Sequence, residues 1–140
     1  MNDNLDRLLP DFEMLPAAPA DEVADFLKIV GDVPHRDYLE FMVRHNGGDG
    51  PVGKEGYLRL WPLDQVVAGT EEYGALDFAP GLLLFGGSGG NEAFAFDRHD
   101  PKWPIVMVPL VCMSRDDMIF VAGSFTEFIE RLAADQDLWS

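Results

Sequence analysis

Gly86-Gly87-Ser88-Gly89-Gly90 is the stretch most suggestive of chemistry, a glycine run of the kind that cradles a phosphate. Such a cradle needs a helix directly after it, because free N–H groups and the positive end of the helix dipole hold the anion. The run leads instead into Glu92-Ala93-Phe94-Ala95-Phe96-Asp97, whose alternation puts Phe94 and Phe96 on one face of a strand. The Walker pattern also asks for Lys and then Ser or Thr after its last glycine, and Asn91-Glu92 stands there. A carboxylate at that point has the wrong sign for a phosphate site. The run therefore reads as a hairpin loop whose glycines allow positive φ or close backbone approach.

Other reactive side chains form no catalytic pattern. His35, His45 and His99 sit in no metal-ligand spacing, and Ser88 lacks the strand-to-helix elbow of a nucleophilic serine. The single cysteine, Cys112, lies in an apolar run and reads as a buried structural thiol. Asp97-x-x-Asp100 beside His99 has the chemistry for a divalent ion, but the regular spacing of a calcium loop is missing, so a solvated loop is favoured. Glu71-Glu72 and Asp116-Asp117 are adjacent acids, which belong to solvated faces and turns more often than to acid–base pairs across a cleft. No catalytic residue, metal ligand or cofactor is assigned, and a binding protein is favoured over an enzyme.

Composition narrows the setting. The net charge of −15 disfavours direct contact with nucleic acid or an anionic membrane and favours rapid encounter with a basic partner. An apolar fraction of 47% excludes a mostly disordered chain. No run approaches the ~20 apolar residues of a membrane span. The acidic start MNDNLDRLLPDF has no signal-peptide character, so a cytoplasmic location is expected.

The elements that must position these groups are set by periodicity. Residues 1–19, with Pro10, Pro16 and Pro19, read as an extended or partly helical arm anchored by Leu8, Leu9, Phe12 and Leu15, not necessarily ordered throughout; residues 20–140 read as one domain. Val23, Phe26, Leu27 and Val30 form the stripe of a helix capped by Asp21 and stopped at Gly31. A second helix enters at Pro34, carries Tyr38, Phe41, Met42 and His45, and ends at Asn46-Gly47-Gly48. Asp49 to Gly56 reads as a loop, Tyr57 to Trp61 as a strand, and Leu63 onward as a helix capped by Asp64. Ile105 to Val108 reads as a strand, with Leu110–Met113 and Met118–Ala122 as a further hairpin. Ser124-Phe125-Thr126-Glu127 is a capping box opening a helix with the stripe Phe125, Phe128, Ile129, Leu132 and Ala133. Helices, then grouped strands, then a helix predict an α+β fold on a mostly antiparallel sheet, mixed pairing being left open, with flanking N- and C-terminal helices.

The order of landmarks resembles the SUKH superfamily, the SMI/KNR-type domain. The resemblance is carried by Tyr38-x-x-Phe41 leading to Asn46-Gly47-Gly48, Leu60-Trp61-Pro62-Leu63, Pro80-Gly81 with Phe85-Gly86, Gly89-Gly90-Asn91-Glu92-Ala93-Phe94, and Ser124-Phe125-x-x-Phe128, over roughly residues 20 to 134. Asn91 departs from it, since many members carry a further glycine there. The resemblance implies an α+β fold without shared catalytic residues, in which Asn46, Gly47, Gly48, Trp61, Gly89, Gly90, Glu92, Ser124 and Phe125 are structural. It also implies protein binding. Many bacterial members are immunity proteins that neutralise a toxin, often a nuclease or deaminase, whereas a fungal member is a regulatory interaction hub. An acidic inhibitor suits the basic cleft of a nuclease. The alternatives are a scaffold module without a toxin partner and a small-ligand binder at the glycine loop. The partner surface is expected among Glu71, Glu72, Asp97, Asp100, Asp116 and Asp117, with Tyr73 or Trp103 as aromatic anchor; the acids of the first long helix, Asp21, Glu22 and Asp25, are an equal alternative.

Overall fold

The computed structural model describes residues 4–135; Met1–Asp3 of the arm and the end of the 20–140 domain, from residue 136, lie outside it. The described residues form helices α1 (Asn4–Arg7), α2 (Ala20–Val30), α3 (Arg36–Arg44), α4 (Leu63–Glu72), α5 (Ala75–Phe78) and α6 (Phe125–Ala133). The strands are β1 (Glu13–Met14), β2 (Gly48–Val52), β3 (Gly56–Leu60), β4 (Leu82–Gly87), β5 (Glu92–Asp97), β6 (Ile105–Pro109) and β7 (Ile119–Ala122). They lie in one sheet in chain order, and every neighbouring pair is antiparallel. The fold is α+β on an antiparallel sheet, with no parallel pair among the described strands.

Alternation along the central strands sorts the core into two layers. Leu83, Phe85, Phe94, Phe96, Ile105 and Met107 join Phe26, Tyr38, Phe41, Phe125 and Phe128 from the helices. The rings interlock: Phe85 stacks on Phe96 at 4.4 Å between centroids, and Phe128 meets Phe94 edge-on at 4.7 Å. Leu82, Leu84, Ala93, Ala95, Val106 and Val108 face the other way, onto Ala75 of α5, Ala79 just after it, and Met113. Alanines on both sides let α5 sit close to the sheet.

The glycine run joins two antiparallel strands, Leu82–Gly87 and Glu92–Asp97, and no helix comes after it. The Ser88 backbone N–H donates to the Glu92 carbonyl at 3.1 Å, and the Ser88 hydroxyl donates to the Glu92 carboxylate at 2.9 Å. The hairpin loop is thus closed by the acid that sequence alone marks as hostile to phosphate.

Four local readings are corrected. The stretch from Asp49 is no loop: Gly48–Val52 is a strand paired with both β1 and β3. Its inward positions include Gly48 and Gly50, so the usual apolar alternation is missing; a side chain at Gly48 would strike the Glu13 carbonyl at 2.6 Å and the Phe12 ring. Leu110–Met113 is no strand either. Pro109 ends β6, Leu110 N–H turns to the Asn91 carbonyl at 2.8 Å, and a 3-10 turn at Arg115–Asp117 leads into β7. Cys112 is exposed, at φ 58° in the turn just after β6, and not buried. Asp21 and Asp64 fall inside the helices they were expected to cap, behind Pro19 and Pro62.

The arm is built into the domain from α1 onward. Leu5, Leu9 and Phe12 are buried in the main core, while Leu15 is exposed. Arg44 of α3 grips both carboxylate oxygens of Asp6 at 3.0 and 2.9 Å.

Candidate partner-binding surface

The α4–α5 segment is set in place by Trp61, just past the end of β3. β3 pairs with β4 at Arg59–Gly87 and Leu60–Gly86, the Trp61 N–H donates to the Phe85 carbonyl at 3.0 Å, and the strands then part. α4 fills the gap. The Thr70 hydroxyl donates to the Val66 carbonyl at 2.7 Å and accepts from Leu84 N–H at 2.9 Å, so a side chain satisfies a strand group that has lost its neighbour. Trp61 lies against Gly69, where a β-carbon would stand 2.6 Å from the indole Cζ3. It also stacks on Tyr73, at 5.8 Å and 19°.

This packing puts Glu71, Glu72 and Tyr73 at the exposed end of α4, succeeded by α5 with exposed Leu76, Asp77 and Phe78. Phe78 is 67% exposed although its neighbours Ala75 and Ala79 are fully buried. One face of the short helix closes the second core layer, and the opposite face leaves an aromatic ring in water. No lysine or arginine occurs between Arg59 and Arg98, so the chain here carries acids and apolar groups without basic ones.

Asp116 and Asp117, also exposed, are brought to the same turn through Arg115. Its guanidinium donates to the Pro80 carbonyl, just after α5, at 3.0 Å and to both oxygens of Asp97 at 2.9 Å. Exposed Val111 and Phe120 belong to the segment and strand on either side of this turn.

Asp97 is corrected from an exposed carboxylate to a structural one. It is 6% exposed at the end of β5, held by Arg115 and by the His99 N–H at 3.1 Å. Burial pushes its pKa up, but the hydrogen bonds from Arg115 and the His99 amide outweigh it and hold the carboxyl below its ordinary value. Trp103 and Asp100 lie elsewhere, in the β5–β6 turn. The Trp103 ring packs on Phe96 at 6.0 Å, and its carbonyl meets buried His35 at 2.6 Å, so it is half-buried against the main core. Asp100 is exposed and accepts from Lys102 N–H at 2.9 Å.

The residues expected to be structural each hold a junction. Asn46 joins three segments: its N–H donates to the Pro16 carbonyl at 2.9 Å, its Oδ1 accepts from Leu63 N–H at 2.9 Å at the start of α4, and its Nδ2 donates to Glu22 of α2. Gly47, at φ 91°, turns the chain from α3 into β2, and Gly48 opens that strand. Gly89 lies under the Tyr57 ring, and Gly90 N–H donates to the Ser88 hydroxyl at 3.2 Å. Ser124 accepts from Glu127 N–H at 3.1 Å, and Glu127 reaches back to Gly123 N–H at 2.7 Å, one residue earlier than a standard capping box. Phe125 is buried against Tyr38, ring centroids 5.2 Å apart.

Among the described residues no group of three or more His, Cys, Asp or Glu is placed to hold a metal ion, and no helix is long and apolar enough to cross a membrane. The profile of the SMI1 / KNR4 family (SUKH-1) matches residues 20–131, well over half of the chain. The chain belongs to the SMI1 / KNR4 family (SUKH-1). No individual curated protein matches it.

Leu76, Phe78, Val111 and Phe120 went unnoticed in the sequence as surface residues. The available signal was the apolar pair on either side of an acid, Leu76-Asp77-Phe78, but an apolar residue in a short helix reads as core until the face it occupies is known.

Proposed function

We propose that this SUKH-1 domain is a non-catalytic protein-binding module that neutralises a bacterial toxin domain by direct contact, docking through the end of α4 and α5. The observation that carries this reading is the exposed row Tyr73, Leu76 and Phe78 among Glu71, Glu72 and Asp77, in a segment without a basic residue. Apolar and aromatic groups supply affinity when water is excluded from them. The surrounding carboxylates favour a basic partner and speed its approach. A nuclease cleft, built to hold a polyanion, has that chemistry. Family membership supports the reading, since the SUKH-1 domain occurs among immunity proteins.

The test is to mix the protein with the toxin domain encoded beside it. Binding in calorimetry and loss of toxin activity are expected. The double variant Glu71→Lys, Glu72→Lys should lower the association rate at low salt by about tenfold or more, and Phe78→Ala should weaken the complex by about 2 kcal/mol through faster dissociation. No heat and no inhibition would end the toxin-binding reading. Inhibition that survives both variants would move the interface elsewhere.

A further inference from the structure

We infer that a small cavity between α2, α4, α5 and β4 is a binding site for a short branched aliphatic carboxylate. The cavity has a volume of about 170 Å³. Val30, Val67, Leu76 and Leu83 give it apolar walls, and Arg98 contributes the cation. The Arg98 Nε is buried and has no hydrogen-bond partner among the described residues, and the guanidinium makes no ion pair there. Arg44, Arg59 and Arg115, by contrast, each meet an aspartate. A buried donor left unpaired is unfavourable, so an acceptor that reaches it without losing apolar contact gains on both counts. A carboxylate does so: its oxygens match the planar fork of a guanidinium. A branched alkyl group of three or four carbons would cover Val67 and Leu83. Thr70 does not compete, because its hydroxyl is already engaged by Val66 and Leu84. Glu71 also lines the cavity and opposes an anion there, which sets a sign that can be tested.

The site is distinct from the glycine loop and does not depend on the toxin-binding reading. The ligand chemistry has two sources, a free acid or the C-terminal carboxylate of a polypeptide ending in leucine or valine. Isovalerate and N-acetyl-leucine represent them, with isovaleramide as the uncharged control. Each is titrated into isotopically labelled full-length protein while the Arg98 Nε–H resonance and the methyls of Val67 and Leu83 are tracked by NMR. Saturable shifts are expected with at least one acid, and isovaleramide should bind about tenfold more weakly or worse for want of a charge-assisted hydrogen bond. Response to isovalerate alone assigns the free acid; response to N-acetyl-leucine includes a chain terminus. Arg98→Gln should abolish the shifts while the α6 methyl resonances stay in place. Should that variant fail to fold, Glu71→Gln, an exposed change, should tighten acid binding severalfold. No saturable shift with either acid, equal binding of the amide, or unchanged acid affinity in Glu71→Gln would overturn the site.

Discussion

Tyr38 shows how a single atom can stand against its surroundings. Its ring packs edge-on against Phe85, Phe96 and Phe125, and its hydroxyl is buried with no hydrogen-bond partner among the described residues. Burial drives the phenol pKa far above its ordinary value, because a phenolate has no solvent there. An unpaired buried hydroxyl is a penalty with no return, so Tyr38→Phe should raise unfolding free energy by about 1 kcal/mol in a urea titration; a loss of stability would mean that the hydroxyl has a partner after all. The helical spacing of Tyr38, Phe41 and Met42 is legible from the chain, and all three are buried. That the hydroxyl is an orphan is not legible, since its neighbours come from β4, β5 and α6. Asn46 is the opposite case. The sequence marks it as a helix stop, yet its side chain joins α2 to the first turn of α4, a role that depends on where three distant segments meet.

At the scale of elements, α4 acts as a substitute strand neighbour as well as a helix. Its fit depends on Gly69, and Gly69→Ala sets two effects against each other. Alanine favours a helix by about 1 kcal/mol over glycine. A methyl group 2.6 Å from Trp61 forces the indole to move, and overpacking of this kind costs about 1–3 kcal/mol. Packing should win, with a net loss of about 1 kcal/mol in urea and altered tryptophan fluorescence as Trp61 slides off Tyr73; an unchanged spectrum would show that α4 yields instead. The second joint is Asp97–Arg115, which ties β5 and the turn after α5 to the 3-10 turn before β7. The folded-state pKa of Asp97 is lowered, so its contribution to stability is fully present above about pH 4, the unfolded value, and is lost as pH falls through the folded value. Asp97→Asn should therefore be less stable by about 1–2 kcal/mol at neutral pH, between the values for exposed and buried pairs. The gap should close in denaturation curves taken below about pH 4. A gap that stays constant with pH would remove the carboxylate charge from the account.

For the whole molecule, the net charge of −15 outweighs any single ion pair. Pairs such as Arg44–Asp6 and Arg115–Asp97 join separate parts of the fold, but 25 acids against 10 lysines and arginines leave a majority of the carboxylates without a cation of their own. Self-repulsion in a compact body exceeds that in an expanded chain, and salt screens it over a Debye length of about 8 Å at physiological ionic strength. The melting temperature should rise by several degrees between very low and physiological salt. A flat response would mean that the acids are spread too far apart to repel. The same screening should slow association with a basic partner, so salt is expected to move folding and docking in opposite directions.

What the sequence determined by itself was whatever rests on local periodicity and local electrostatics. The alternation at Phe94 and Phe96 made the glycine run a hairpin, the grouping of helices and strands set the α+β class, and the capping box located α6. Each depends on residues within a few positions of one another. Only the tertiary structure decided that Gly48–Val52 is a strand, that Asp97 is buried, and which face of α5 meets water. Those outcomes turn on what another part of the chain brings to the same place: Phe12 against Gly48, Arg115 against Asp97, and the sheet against Ala75 and Ala79. A residue's type fixes what it can do, and burial and partners, which distant segments supply, fix what it does.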